Sequence, residues 1–262
     1  DVELTVHKDP PRLGAEAFVV DGLTLFGAGG VALLDDLSFS VRGGEVLAVA
    51  GVQGNGQTEL AEVIVGLRSK ASGSIRLDGE ELLGRSVRHV LAAGVGFVPE
   101  DRKADGLVAE FSLAENIMLD RSYGPPFAHW YGIDFRARDA VAERAVEDFD
   151  IRTQGIGAPV GRLSGGNQQK VVIARELERD LKLLLASQPT RGVDVGSIEF
   201  IHERIVEVRD SGVPVLIIST ELDEVMALAD RIAVMYRGAI IDIVPADTPR
   251  ERLGQLMAGV VA

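Results

Sequence analysis

The segment that most constrains this fold is an apolar run that ends in glycines and restarts as a helix. Residues 45–50 read EVLAVA, a strand-length run with no turn former inside it. Gly51-Val52-Gln53-Gly54-Asn55-Gly56-Gln57-Thr58 follows, and then Leu60, Val63, Ile64 and Leu67 recur at i, i+3, i+4 and i+7. That spacing marks one face of an amphipathic helix, and Gly66 predicts its end. A buried strand, a glycine turn and a helix in this order point to an α/β architecture. The turn fits G-x-x-x-x-G-K-[ST] at every fixed position except the lysine, where Gln57 stands. Glycines let the backbone curl so that N–H groups face a phosphate beside the positive end of the helix dipole. On these residues alone, an ordinary tight strand-to-helix turn fits as well.

The rest of the chain repeats the α/β theme. Residues 1–16 hold Pro10 and Pro11 without periodicity and read as a linker. Residues 17–25, 37–41, 74–77 and 95–98 read as short strands. The stretch from about 100 to 166 changes character, with Pro125, Pro126, Trp130 and a helical pattern over 138–149, and is expected to be an inserted helical subdomain. The core, about 17–99, then resumes over 167–245 with strand 181–186, helix 197–208, strand 215–219 and helix 221–229. Residues 232–244, broken at Arg237-Gly238, read as a terminal hairpin. Strands alternating with helices imply a mostly parallel sheet with covered faces.

Composition excludes several functions. The formal net charge of −13 argues against binding phosphate backbones of nucleic acid. With no cysteine there is neither a disulfide nor a thiolate metal site, and His7, His89, His129 and His202 lack ligand-like spacing. No apolar run approaches the roughly 20 residues of a membrane span, and there is no signal-peptide pattern. A start at Asp1 rather than Met reads as a piece of a longer protein.

One further segment narrows the choice. Leu163-Ser164-Gly165-Gly166-Asn167-Gln168-Gln169-Lys170 leads into a helix carrying Val171, Ala174 and Leu177 on one face, with Ser164 placed as N-cap. This run resembles the signature motif of ABC ATPases, in the form found in importers of sugars and nucleosides. Other segments follow in the family's order. Phe26 sits where an aromatic stacks on adenine, and Glu100, in Phe97-Val98-Pro99-Glu100-Asp101-Arg102, takes the place of the Q-loop glutamine. Pro189-Thr190-Arg191-Gly192-Val193-Asp194 resembles the stretch after Walker B, with Asp194 at the D-loop aspartate. The likeness runs from about 17 to 245, and five ordered motifs are more specific than any one.

The resemblance implies an ABC-type P-loop NTPase fold over 17–262, with a RecA-like parallel core, an N-terminal antiparallel part and an inserted helical subdomain. It also shows what is missing. Gln57 replaces the lysine that binds the β- and γ-phosphates. Ser187 and Gln188 replace the Walker B aspartate and the glutamate that polarises water, and Thr220 replaces the γ-phosphate-sensing histidine. Gln57 carries no charge, Ser187 is a poor partner for Mg²⁺, and Gln188 cannot act as a base. Thr58 keeps the metal-side hydroxyl. Thr220 with Asp223 is expected to cap the next helix.

The expected ligands are therefore ATP and Mg²⁺, with Mg²⁺ weak or absent at this domain's own site. Gly51, Gly54, Asn55, Gly56, Gln57, Thr58, Phe26 and Glu100 would line that site, which is expected not to hydrolyse ATP. Leu163, Ser164, Gly165, Gly166 and Gln168 would complete a site on a second domain. The resemblance implies a first ATPase domain in the same polypeptide, transmembrane permease subunits, an indirectly linked solute-binding protein and a place on the cytoplasmic face of the membrane. The wording GVQGNGQTEL and ASQPTRGVDVG favours the nucleoside branch. A non-transport ABC protein in scaffolding, repair or translation is the alternative, disfavoured by the acidic charge; an unrelated P-loop kinase is disfavoured by the signature segment.

Overall fold

The computed structural model describes residue 6, residues 8–130 and residues 132–260. Of the expected linker, the first five residues and His7 lie outside the described residues. In chain order the first strands are β1 (Glu16–Phe26), β2 (Ala32–Arg42) and β3 (Val46–Ala50), followed by helix α1 (Gln57–Ile64). Then come β4 (Ser72–Leu77), β5 (Glu80–Glu81), α2 (Val87–Ala92) and β6 (Val95–Val98). The middle of the chain holds α3 (Leu113–Met118), β7 (Ala128–His129), β8 (Gly132–Ile133), α4 (Phe135–Asp148) and α5 (Gly165–Leu177). It closes with β9 (Leu183–Ser187), α6 (Val195–Asp210), β10 (Val215–Ser219), α7 (Leu222–Leu228), β11 (Arg231–Tyr236), β12 (Ala239–Pro245) and α8 (Arg250–Met257).

By internal contact the chain forms two compact units. The first comprises Asp1–Phe97, Asp180–Gln188 and His202–Ala262. Among its described residues, the larger sheet runs in the order β12-β11-β3-β10-β9-β6. β3 pairs parallel with β10 and β11, and β10 pairs parallel with β9. All five residues of β3, β9 and β10 are buried, so their unbroken apolar runs match strands covered on both faces. β11 and β12 form the expected hairpin, turning at Arg237 (φ 47°) and Gly238 (φ 82°), the left-handed pair that suits a two-residue loop.

A smaller antiparallel sheet, β2-β1-β4-β5, belongs to the same unit. Its first two strands are longer than the runs at 17–25 and 37–41, because pairing of Glu16 with Arg42 and of Phe26 with Ala32 carries both strands past those apolar runs. Phe18, Leu23, Leu37, Leu47, Leu60, Ile64 and Ile75 share one apolar core, with Phe18 and Phe39 rings 6.4 Å apart. Helix α1 ends where Gly66 takes φ 82°; a Cβ there would lie 2.5 Å from the Arg85 carbonyl oxygen. Residues 8–14 have no regular structure but are bonded to the unit. The Lys8 ammonium donates to Leu228 O (2.9 Å) and Asp230 (3.2 Å), Arg209 Nη2 donates to Asp9 O (2.9 Å), and Gly14 N donates to Gly43 O (2.8 Å).

The second unit comprises Val98–Arg179 and Pro189–Ile201. It takes in α3, α4 and α5 together with residues 189–201, whereas the sequence reading divides core from insert at 166. Helix α3 opens with a reciprocal capping box, in which the Ser112 hydroxyl accepts from Glu115 N and the Glu115 carboxylate accepts from Ser112 N. Helix α4 begins at Phe135, three residues before the periodicity read from sequence, because Asp134 caps it by accepting from Arg136 N and Ala137 N. Leu113, Ile117, Phe127, Ala142 and Val160 are fully buried here.

Candidate functional site

The register of the larger sheet gathers the first set of residues. Ala50 pairs with Ser219, and Ile218 pairs with Ser187, so β3, β10 and β9 end side by side. The chain continues from those ends into the glycine loop, Thr220 and Gln188 respectively. The carboxyl ends of adjacent parallel strands are where α/β sheets present ligand sites.

The glycine loop is shaped by close approach. A Cβ on Gly51 would lie 2.5 Å from Met235 O, and one on Gly56 (φ 109°) would lie 2.7 Å from Leu33 O. Neither position admits another residue. The loop is also tied to the β11–β12 turn, since Asn55 accepts from Arg237 N (2.9 Å) through its side chain and from Gly238 N (2.9 Å) through its carbonyl. Gln57 is 5% exposed, and its side chain turns back into its own loop. Nε2 donates to Val52 O (3.0 Å) and Oε1 accepts from Asn55 N (3.1 Å). An N–H that a phosphate-binding loop would direct at its ligand is here taken by the loop's own side chain. Thr58 is exposed, and Phe26 ends β1 with 61% of its surface exposed.

At the neighbouring strand ends, Gln188 and Thr220 bond each other. Gln188 Nε2 donates to Thr220 Oγ1 (3.0 Å), and Thr220 N approaches Gln188 Oε1 at 3.4 Å. Gln188 holds φ 49°, a conformation its side chain disfavours, and is 6% exposed beside Ser187 at 3%. The expectation that Thr220 and Asp223 cap α7 is corrected. The N-cap is Glu221 without a side-chain bond, the Ser219 hydroxyl accepts from Glu221 N (3.0 Å), and Asp223 pairs with Arg250. Thr220 faces Gln188 across the strand ends, so its hydroxyl is engaged there.

These groups do not fit a magnesium-bound triphosphate poised for hydrolysis. Gln57, Ser187, Gln188 and Thr220 bring no charge of either sign, whereas Mg²⁺ at a phosphate site is ordinarily held by one or two carboxylates besides the phosphates and waters. Among the described residues, no cluster of three or more His, Asp or Glu could hold a metal ion.

The second set of residues lies in the other unit. Ser164 caps α5: its hydroxyl accepts from Asn167 N (3.4 Å) and from the Asn167 side-chain amide (2.9 Å). Asn167 Oδ1 in turn accepts from Arg152 N (2.8 Å). A cavity of about 330 Å³ opens here, lined by Arg152, Ser164, Asn167, Lys170, Asp194 and Ser197. A Cβ on Gly166 would lie 2.2 Å from Ser197 Oγ and 2.4 Å from Asp194 Oδ2, so the two helix starts touch without room for a methyl group. The Ser197 hydroxyl and then its N–H bond the Asp194 carboxylate and hold it below the usual aspartate range.

Other predicted positions are placed differently. Gln168 is buried, donating to Val160 O (3.3 Å) and Leu163 O (3.2 Å), so its side chain turns into the protein. Glu100 pairs with Arg191. The sequence pattern assigns no role to Asn167 or Arg152. The asparagine was visible inside LSGGNQQK, but nothing near Arg152 signalled its pairing with residue 167.

A family profile described as "ABC transporter" matches residues 34–191. The guanosine import ATP-binding protein NupO of Bacillus subtilis is 42% identical over 260 residues, 99% of this chain and 51% of that one. The nucleoside import ATP-binding protein NupA of Lactococcus lactis is 48% identical over 85% of this chain and 44% of its own length. The glucose import ATP-binding protein TsgD13 of Haloferax volcanii is 44% identical over 88% and 42%. The chain thus spans about half the length of the curated relatives it matches. Among solved structures, a nucleotide-free ATP-binding cassette from an ABC transporter superposes with a TM-score of 0.77 at 22% identity, covering 94% of this chain and 96% of that one.

Proposed function

The chain belongs to the ATP-binding proteins of the ABC transporter family, and from that membership we propose that it is a catalytically silent cassette of a solute importer. Nucleosides are the favoured cargo, on the motif wording and on the import proteins NupO and NupA; simple sugars remain the neighbouring class, as TsgD13 illustrates. The relatives' greater length supports a second ATPase domain in the same polypeptide. Permease subunits and, through them, a solute-binding protein are the proposed partners. Among the described residues no helix is long and apolar enough to cross a membrane; attachment to the cytoplasmic face through such subunits is part of the proposal.

One observation carries the reading: the side chains at 57, 188 and 220 are bonded to their own surroundings and bring no charge. Phosphoryl transfer depends on positioning and on neutralising developing charge, and the side chains at 57, 187, 188 and 220 supply neither cation nor carboxylate. The signature segment retains a helix start capped by the exposed Ser164. In this reading Ser164, Gly165 and Gly166 complete the ATP site of the other domain, while the Gln57 loop holds nucleotide weakly or not at all. Phosphate release by this domain alone, with saturating Mg-ATP, should stay at background. Robust turnover would remove the proposal.

A further inference from the structure

The signature helix begins against a guanidinium from elsewhere in the sequence. A Cβ built on Gly165 would lie 2.7 Å from Arg102 Nη2 and 3.2 Å from Gly192 O. The Arg102 side chain therefore rests over the first residue of α5. Its two terminal nitrogens fork onto carbonyls of one turn: Nη1 donates to Arg191 O (2.8 Å) and Nη2 to Gly192 O (3.1 Å). That turn takes its shape from Gly192 at φ 66° and leads directly to Asp194.

The base of Arg102 is fixed as well. Asp101 Oδ1 accepts from Lys103 N (2.9 Å) and Ala104 N (3.1 Å), pinning a single π-turn over Arg102–Gly106. Those N–H bonds, that of Ala104 first, hold the Asp101 carboxyl below its usual range. At the far end of the turn the buried Arg175 of α5 donates to Gly106 O (2.7 Å). A rigid planar fork anchored at its root sets a distance between two backbones, which a flexible ammonium would not.

We propose that Arg102 is a positioning residue, which sets the start of the signature helix against residues 191–194 and so aligns Ser164 and the glycine N–H groups for a nucleotide on the second domain. This inference rests on the reading that the signature works in trans. It differs from a folding role because the clamp joins two presented loops and leaves the apolar core untouched.

The test is steady-state ATP hydrolysis by the full-length ATP-binding subunit, with Arg102→Ala, Arg102→Lys and Ser164→Glu compared. Arg102→Ala should lower kcat about tenfold or more, with KM for ATP within about twofold, as expected when a contact is misaligned in the transition state. Arg102→Lys keeps the charge but loses the fork, and should fall between Ala and wild type. If Arg102→Ala does not fold, the soluble Lys variant decides: a kcat within about twofold of wild type would overturn the proposal. A wild-type kcat for a folded Arg102→Ala would overturn it too. Should Ser164→Glu abolish turnover while Arg102→Ala leaves kcat at the wild-type value, the trans reading stands and Arg102 alone is excluded. Unaltered turnover by Ser164→Glu would bring down both.

Discussion

Changing Gln57 to lysine should separate nucleotide binding from hydrolysis. In the free loop the glutamine amide makes two hydrogen bonds, to Val52 O at 3.0 Å and from Asn55 N at 3.1 Å. At about 1 kcal/mol net for each, a ligand must displace roughly 2 kcal/mol of internal bonding before that N–H becomes available. A lysine at 57 also adds a positive charge, worth about 1 kcal/mol against a phosphate charge 4 Å away even at the dielectric constant of water. Together these are roughly 3 kcal/mol, about a hundredfold in Kd. A lysine can still bond the Val52 carbonyl in the empty loop, which takes back about 1 kcal/mol and leaves roughly thirtyfold as the smallest gain expected. Calorimetric titration of Gln57→Lys and wild type with ATP, with and without Mg²⁺, measures it. Phosphate release should stay at background in both, because Ser187 and Gln188 remain without a carboxylate. A Kd unchanged by the substitution would refute the idea that Gln57 blocks its own loop. Turnover by Gln57→Lys alone would refute the argument from the missing carboxylates.

Three stability predictions follow from the same contacts. Gly166→Ala would place a methyl group within 2.4 Å of two oxygens, so urea denaturation should show a loss of about 1–3 kcal/mol, the usual cost of overpacking; an unchanged midpoint would mean the helix starts can part freely. Asp194→Ala removes an acceptor for Ser197 N and should cost about 1 kcal/mol as a lost helix cap. Because the folded-state pKa of Asp194 is lowered, its contribution is present above the ordinary aspartate range and fades as pH falls through the folded value, so the gap between wild type and Asp194→Asn should close in acid. Arg209→Met should be among the costliest single changes, about 3 kcal/mol or more, since the fully buried guanidinium bonds Asp230, Asp210 and Asp9 O; a loss under 1 kcal/mol in the same assay would contradict that.

Most of the sheet was legible because its evidence is local. The runs at 95–98 and 215–219 coincide with β6 and β10, and the Arg237-Gly238 break falls on the hairpin turn. The missing charges at 57, 187 and 188 were equally plain, since they can be read at fixed offsets from glycines and apolar strands. What escaped depends on partners far apart in the chain. Thr220 looked like a helix cap because Asp223 stands three residues on, but Gln188, 32 residues earlier, occupies its hydroxyl in space. The fork of Arg102 spans 89 and 90 residues to two backbone carbonyls, which have no side-chain signature. The inward turn of Gln168 is likewise a matter of carbonyl geometry around Val160 and Leu163. The capping box at Ser112 and Glu115 is by contrast a local S-x-x-E pattern, visible in the sequence itself.

On the proposed function, this domain's glycine loop is idle while its signature works for another domain. The most direct test compares phosphate release by the full-length subunit carrying either Gln57→Ala or Ser164→Glu. Turnover should survive Gln57→Ala and collapse with Ser164→Glu. Collapse with Gln57→Ala and survival with Ser164→Glu would contradict the claim, placing the chemistry at this domain's own loop.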